Sequence, residues 1–424
     1  MKIFGIHDGN TLTQFADVSS RAVKAALMAD GHMGYVMPIG GVAGYDNKVS
    51  VVGVGFDIAC GNCAIKTDLK FEDLFGMDHR YLSTNPHKFT SNRTGIELAN
   101  HIFNKFEFGI GTKNTSPDAP NDHKLFHDPA WWIIPNTGAY RDDLIQKARE
   151  QIGTIGSGNH YIDIFSDKED GTIWVGVHFG SRGLGHTIAS NFLALSQGMS
   201  WGEKGKEVEV LLDLDSDLGR DYWALMELAG KYAYAGRAWV ARKVVSMLGG
   251  QEVDMVHNNH NFAWKETHEV VIDGTPALQE LVVVRKGATP AFPGQRGFVG
   301  GSMGDNAVIL EGTRPETFPN SYVLPEQMDA LYSTVHGAGR VMSRTEAKGK
   351  TTRSGVVKKV GKVTQSMMDG WLAQKGVIRK GGGLDESPHA YRRLGEVLEA
   401  QGDTINVLHT LRPVITCMAP EKPF

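Results

Sequence analysis

The sequence predicts a mixed α+β fold, and three features carry that prediction. Short β-branched runs bounded by Gly recur between Tyr35 and Leu69. The segment from Arg220 to about Leu248 repeats apolar residues at helical spacing. Strands and helices also interleave without the regular alternation of a doubly wound sheet. With 424 residues, 41% hydrophobic and 22% charged, the chain is long enough for one large domain or two to three smaller ones, and too apolar to be disordered. Lys+Arg 44 against Asp+Glu 48 leaves a net charge of −4. That balance excludes nucleic-acid binding through bulk charge, though not through a local basic strip. Gly supplies 51 residues, well above the usual ~7%, as close backbone approaches and ligand loops require.

The elements follow in order. Residues 35–69 read as strands and tight loops. Residues 112–137 contain four Pro, no periodicity and the pair Trp131-Trp132, and read as a surface excursion whose Trp residues pack back on the body. Arg141–Ile152 is predicted helical, Trp174–His178 a strand and Leu184–Leu195 a helix. The long helix to Leu248 places Leu225, Leu228, Ala229, Tyr232, Val240 and Val244 on one face. Val270–Ile272 and Leu281–Val284 are strands, the first running into an Asp-Gly turn. A helix is expected over Pro388–Ala400, ahead of a final strand, VLHTLRPVITCM.

Cys60, Cys63 and Cys417 cannot make a disulfide framework in a chain of this size. The N-terminus lacks the apolar core of a signal peptide, and no run approaches 18 apolar residues. A cytoplasmic protein with reduced thiols is therefore expected. Five Gly-bounded segments carry candidate metal ligands: FDIACGNC with Asp57 and Cys60, GSGNHYID with Asn159, His160 and Asp163, VGVHFGSRGLGH with His178, VHNNHNF with His257 and His260, and VHGAGRVMSR with His336. A carboxylate, a thiolate and several imidazoles suit one or two borderline divalent ions, Zn²⁺ or Mn²⁺. Cys60-Gly-Asn-Cys63 is formally a redox pair but lacks the strand–helix–strand context. GSRGLG (180–185), RKGATP (285–290), GGSMGD (300–305) and HGAGR (336–340) combine Gly with Ser, Lys or Arg, as loops that hold phosphate do. His336, flanked by Gly, has the attributes of a nucleophile toward phosphorus.

Together, DGHMG (30–34), GVGFDIACG (53–61), GSGNH (156–160), HFGSRGLGH (178–186), RKGA (285–288), GSMG (301–304), HGAGRVMSR (336–344) and LRPV (411–414) resemble the RtcB family of RNA ligases, in order and over essentially the whole chain. The resemblance implies a single catalytic domain, residues 1–424, around a central β-sandwich with peripheral helices. It also implies a GTP- and Mn²⁺-dependent activity joining RNA 2′,3′-cyclic phosphate or 3′-phosphate ends to 5′-hydroxyl ends, in tRNA splicing or RNA repair. Carried over, Asp57, Cys60 and His160 hold one Mn²⁺, and Cys60, His178 and His260 the second. His260 rather than His257 matches the family's ligand, which is followed by Asn and an aromatic. His336 becomes guanylylated. Asn159, His160, Asp163, Asn261, Gly301, Ser302, Met303, Gly337, Ala338, Gly339 and Met418 line the nucleotide, and Arg182 and Arg340 are candidates for phosphate or RNA. The partners implied are GTP and broken RNA, with no membrane; a monomer is expected.

The sequence departs from the family at three positions: Asp163 for Glu, Ala307 for Ser a few residues beyond GSMG, and Met418 for a base-contacting Lys, with Lys422 the nearest substitute. All three fall toward base recognition, which predicts intact catalysis with weakened guanine selectivity. There are two rival readings: a two-metal RNA cyclic phosphodiesterase or phosphatase without ligation, which would use the same ligands, and a silent RNA-binding protein, against which the intact ligand set argues. The most basic stretch, 347–362, is expected to face RNA. His32 is read as structural, while His186, His389 and His409 have no predicted partner.

Overall fold

The computed structural model describes residues 1–317, 323–351 and 356–421. Two sheets organise it. In the first, β1 (Lys2–Ile3), β2 (Lys24–His32) and β3 (Ile39–Tyr45) continue into a hairpin formed much later in the chain. The second begins with β4 (Gly61–Lys70), β5 (Tyr161–Asp167), β6 (Thr172–Phe179) and β7 (Glu252–Asn259). β8 (Asn261–Ile272) and β9 (Thr275–Lys286) are the hairpin. β10 (Arg296–Val299), β11 (Ala307–Gly312), β12 (Ile378–Lys380) and β13 (Ile405–Met418) complete the second sheet. The orders are β1-β2-β3-β9-β8 and β10-β11-β13-β5-β6-β4-β7, with β12 beside β13. All pairs are antiparallel except β1–β2 and β12–β13. The second sheet curls until its ends nearly meet. Asn62 Nδ2 donates to Phe298 O (2.9 Å), and Phe298 N donates to Asn258 Oδ1 (2.9 Å). Ala64, Phe165, Trp174, Val256, Phe298, Ile309 and Leu411 fill the interior. The fold is α+β as predicted, with the implied sandwich realised as a nearly closed sheet beside a five-stranded one.

Local chemistry explains the elements. Asp273-Gly274 takes positive φ at both positions, +50° and +81°, the turn that matches strand twist and fixes the register Ile272 to Thr275. The predicted helices are α1 (Tyr140–Gln151), α2 (Arg182–Leu195) and α3 (Asp217–Met247). Ser216 caps α3, its hydroxyl accepting from Gly219 N at 3.0 Å, and the predicted face is buried. Pro413 cannot donate to the ladder, and the β13–β5 register shifts beside it. The excursion covers α3: Trp131 is buried with its indole N–H on Leu125 O (2.9 Å), and Asp118 and Asp128 bind Lys243 and Lys231. Trp132 stays exposed beneath the Arg141 guanidinium, 4.1 Å from the ring centroid, so only one of the pair packs inward.

Two expected elements differ. Val51–Val54 is a helical turn rather than strand, because Ser50 Oγ accepts from Gly53 N (2.8 Å) and starts a helix despite the β-branched residues. The helix predicted from Pro388 begins at Leu394, as α4 (Leu394–Gln401). Residues 388–390 make one tight turn and the chain then extends. Asp305 Oδ2 accepts from Leu394 N (3.0 Å), so a distant carboxylate sets where α4 starts. Of the basic stretch, 349–351 pairs antiparallel with the exposed 357–360; residues 352–355 lie outside the described residues, as does Lys422.

Candidate active site

The loop from Gly55 to Cys60 is fixed by its backbone. Cys60 N donates to Asp57 O (3.0 Å), Ala59 N to Asn261 O (2.7 Å) and His260 N to Cys60 O (2.8 Å). The loop is therefore tied to the β7–β8 junction that carries His260. Arg237 of α3, fully buried and with no carboxylate partner among the described residues, donates to Ala59 O, Phe179 O, Asn259 Oδ1 and His257 Nε2. Arg237→Met is expected to cost on the order of 2–4 kcal/mol by orphaning these acceptors. A fall in denaturant midpoint, accompanied by weaker metal binding, is the check. Close approach matters at Gly180, where a Cβ would lie 2.1 Å from Asp57 Oδ1.

This framework gathers five of the predicted residues. Cys60 Sγ lies 3.5 Å from His160 Nε2 and 3.7 Å from His178 Nε2, and His160 Nε2 lies 3.1 Å from Asp57 Oδ2. The His178 and His260 rings stack at 5.1 Å. Asn62 Oδ1 accepts from His178 Nδ1 (2.7 Å), leaving Nε2 as a bare lone pair toward the thiol. His260 Nδ1 is buried with no partner. Burial and neighbouring imidazoles hold His178 and His260 neutral. Burial and then Asp57 push the Cys60 thiol well up. Burial raises Asp57, but the hydrogen bond from His160 and the nearby cations outweigh it and hold the carboxyl below its ordinary range. A buried thiol, a carboxylate and three neutral imidazoles, one of them orphaned, are a donor set for borderline divalent ions. His257 points elsewhere, stacked on Tyr234 and bonded to Arg237. Cys63 sits in the apolar core, its thiol raised to about 12 by burial, away from the redox reading.

A cavity of about 260 Å³ opens beside the cluster. Asp57, Cys60, His178 and His260 border it, as do Asn159, Asp163, Asn261, Gly301, Ser302, Met303, Gly337, Ala338, Gly339 and Met418. His336 stands on its wall with its ring 4.8 Å from that of His260. Asp30, fully buried at the end of β2, accepts from His336 Nδ1 (2.6 Å) and from the backbone N–H groups of His336 and Gly337. This fixes the imidazole with Nε2 toward the cavity. Tyr161 Oη, Asp163 Oδ1, Ser302 Oγ and Thr416 Oγ1 are buried there without hydrogen-bond partners among the described residues. Four unsatisfied polar atoms on a cavity wall mark a place for a polar ligand.

A model of the family described as tRNA-splicing ligase RtcB matches residues 11–419. The chain belongs to the RtcB family. It is 31% identical to the tRNA-splicing ligase RtcB of Archaeoglobus fulgidus, over 94% of this chain and 88% of that one. It is 29% identical to RNA-splicing ligase RtcB homolog 1 of Entamoeba histolytica (93% and 80%) and 28% identical to the RNA-splicing ligase RtcB of Escherichia coli (92% and 88%).

On this RtcB chain some predicted residues sit elsewhere. His160 borders a neighbouring cavity, and Arg182 lies there too, Nη1 3.1 Å from His160 Nδ1. Arg340 borders the main cavity, but its guanidinium is held by Met342 O, Glu386, Tyr391 Oη and Asp385 O. Ala307 packs inside the closed sheet against Phe165 and Leu411 rather than on the cavity, so it cannot shape base recognition directly. Asp163 and Met418 remain at that end, on adjacent strands, with Asp163 opposite Thr416. Sequence reasoning gave no role to Asp30, Asn62, Arg237 or Glu386, although the first two lie within DGHMG and FDIACGNC. Asp30 alone left a signal, an acid closing the apolar run ALMAD. His409 finds Asp167 at 2.7 Å, and burial drives His32 down to about 4.

Proposed function

We propose that the chain, acting as one catalytic domain, is a GTP-dependent RNA ligase joining 2′,3′-cyclic phosphate or 3′-phosphate ends to 5′-hydroxyl ends in the cytoplasm, in tRNA splicing or RNA repair. The observation that supports it most is His336, aimed into a polar cavity that it shares with the Asp57–Cys60–histidine cluster. No helix among the described residues is long and apolar enough to cross a membrane.

Two Mn²⁺ ions fit the donor set: Asp57, Cys60 and His160 would hold one, and Cys60, His178 and His260 the other. When bound, such ions neutralise and orient the phosphates of the reacting nucleotide. The chain's own residues do the rest. His336 Nε2 attacks the α-phosphorus of GTP, a P–N bond forms, and the bond to pyrophosphate breaks. Asp30 keeps Nδ1–H in place and offsets the positive charge that develops on the ring. A 3′-phosphate oxygen of the RNA then attacks the same phosphorus, returning the electron pair to Nε2. Finally the 5′-hydroxyl oxygen attacks the 3′-phosphorus, losing its proton as GMP departs.

At the base end, burial raises the Asp163 carboxyl well above its ordinary range. A carboxyl pushed toward its protonated form is a poorer pair of acceptors for guanine's N1–H and N2–H than a carboxylate would be, and Met418 supplies no cation. Selectivity for guanine is expected to be modest, within about 100-fold of adenine rather than the 10⁴–10⁵ of a site built around each polar group. Transfer of α-label from GTP, ATP, CTP and UTP to the protein, run beside sealing of 3′-phosphate and 5′-hydroxyl RNA, tests both statements. Strict GTP use would remove the selectivity claim. Absence of any adduct in a folded, metal-loaded protein would favour the phosphoesterase.

A further inference from the structure

Asp57 borders two cavities besides the one that holds His336. The first, of about 450 Å³, is lined by Gly109–Gly111, by Lys147 and Gln151 of α1, and by Arg182. The second, of about 650 Å³, follows α2 toward Lys204 and Lys286. Phe56 and His186 wall both of them, and His336 borders neither. The Phe56 and His186 rings lie 5.5 Å apart at 35°, and Tyr35, 69% exposed, meets Phe56 edge-on at 6.2 Å. The cluster thus carries an aromatic ridge, one residue before a metal ligand, with a cavity on either side. Lys147 and Lys204 are exposed at the two flanks and form no ion pair among the described residues.

In-line displacement requires the RNA phosphate to approach the nucleotide's phosphorus from the side opposite His336 Nε2. The nucleotide itself fills the cavity on the His336 side, so the RNA needs another way in. Single-stranded ends are gripped by stacking bases on aromatic rings and by cations along the backbone, without regard to sequence. A joining reaction also needs room for two ends at one centre. Resting on the ligase reading, we propose that RNA ends enter through the two cavities that meet at Asp57, a terminal base stacking on the Tyr35–Phe56–His186 ridge and the adjoining phosphates lying against Lys147 and Lys204.

The test is fluorescence anisotropy of short single-stranded RNAs, one ending in a 3′-phosphate and one beginning with a 5′-hydroxyl. Tyr35→Ala is expected to weaken binding of at least one of them about ten-fold, and Tyr35→Phe to restore it. Lys147→Glu and Lys204→Glu should each reduce the slope of log affinity against log salt by about 0.7. All three side chains are exposed, so the fold stands. Labelling of His336 by α-labelled GTP, which needs no RNA, reports on the ligase reading separately. Unchanged RNA affinity in Tyr35→Ala together with unchanged salt slopes in Lys147→Glu and Lys204→Glu would overturn the proposal, whether or not His336 takes a nucleotide.

Discussion

His336→Ala is expected to abolish transfer of label from α-labelled GTP to the protein, a fall of at least about 10³-fold, because it removes the imidazole that Asp30 holds with Nε2 toward the cavity. The adduct on the unaltered chain should be acid-labile, as a P–N bond is. Asp30→Asn separates positioning from attack. The asparagine can keep the ring in place but can present its amide N–H to Nδ1, favouring the tautomer with the proton on Nε2. Adduct formation should then slow by roughly 10²–10⁴-fold, with metal content unchanged. Label appearing in His336→Ala at the rate of the unaltered chain would show that another residue is the acceptor.

Cys60→Ala should have a comparable effect by another route. The thiol is the point on which His160 and His178 both converge, so its loss removes a ligand from each proposed ion. Metal content after Mn²⁺ loading and desalting should fall from near two equivalents to one or none, and the rise in melting temperature on adding Mn²⁺ should shrink with it. The sign of the pH dependence follows from the same atom. Cys60 is a buried thiol in the metal-free chain and binds as thiolate, so loading releases a proton and affinity rises with pH, by at most about ten-fold per unit for that one proton. Calorimetry in two buffers of different ionisation enthalpy counts the protons. A pH-independent affinity, or full metal content in Cys60→Ala, would exclude the thiolate from the site.

What the sequence revealed, and what it hid, divides by distance along the chain. Asp273-Gly274 dictates its turn from two adjacent residues, and the long helix repeats its apolar face often enough to be unmistakable. The ligand segments were legible because each carries its own Gly-bounded signature. Val51–Val54 misled because β-branched side chains speak for strand while the neighbouring Ser50 cap decides for helix. The partner of His336 is 306 positions away, and Asn62 and His178 are 116 apart. Nothing local in Asp30 or Asn62 says which imidazole each will hold. The same holds for Arg340: its motif suggests phosphate, but Glu386 and Tyr391, brought from the segment ahead of α4, already occupy its donors. Ala307 shows the converse error, since nearness in sequence to GSMG did not bring it to the cavity.

Asn62 divides its amide between two tasks. Its N–H₂ reaches Phe298 across the seam of the curled sheet, and its oxygen holds His178. The amide cannot be reversed without placing a donor against a donor on one side and an acceptor against an acceptor on the other. The orientation of an imidazole in the cluster is thereby bound to whether the sheet is shut. Binding at His178 Nε2 is therefore expected to favour the shut sheet, and loosening β10 to weaken that binding in the same measure. Seen this way the second sheet is more than a scaffold: its closure is expected to be linked to the filling of the centre.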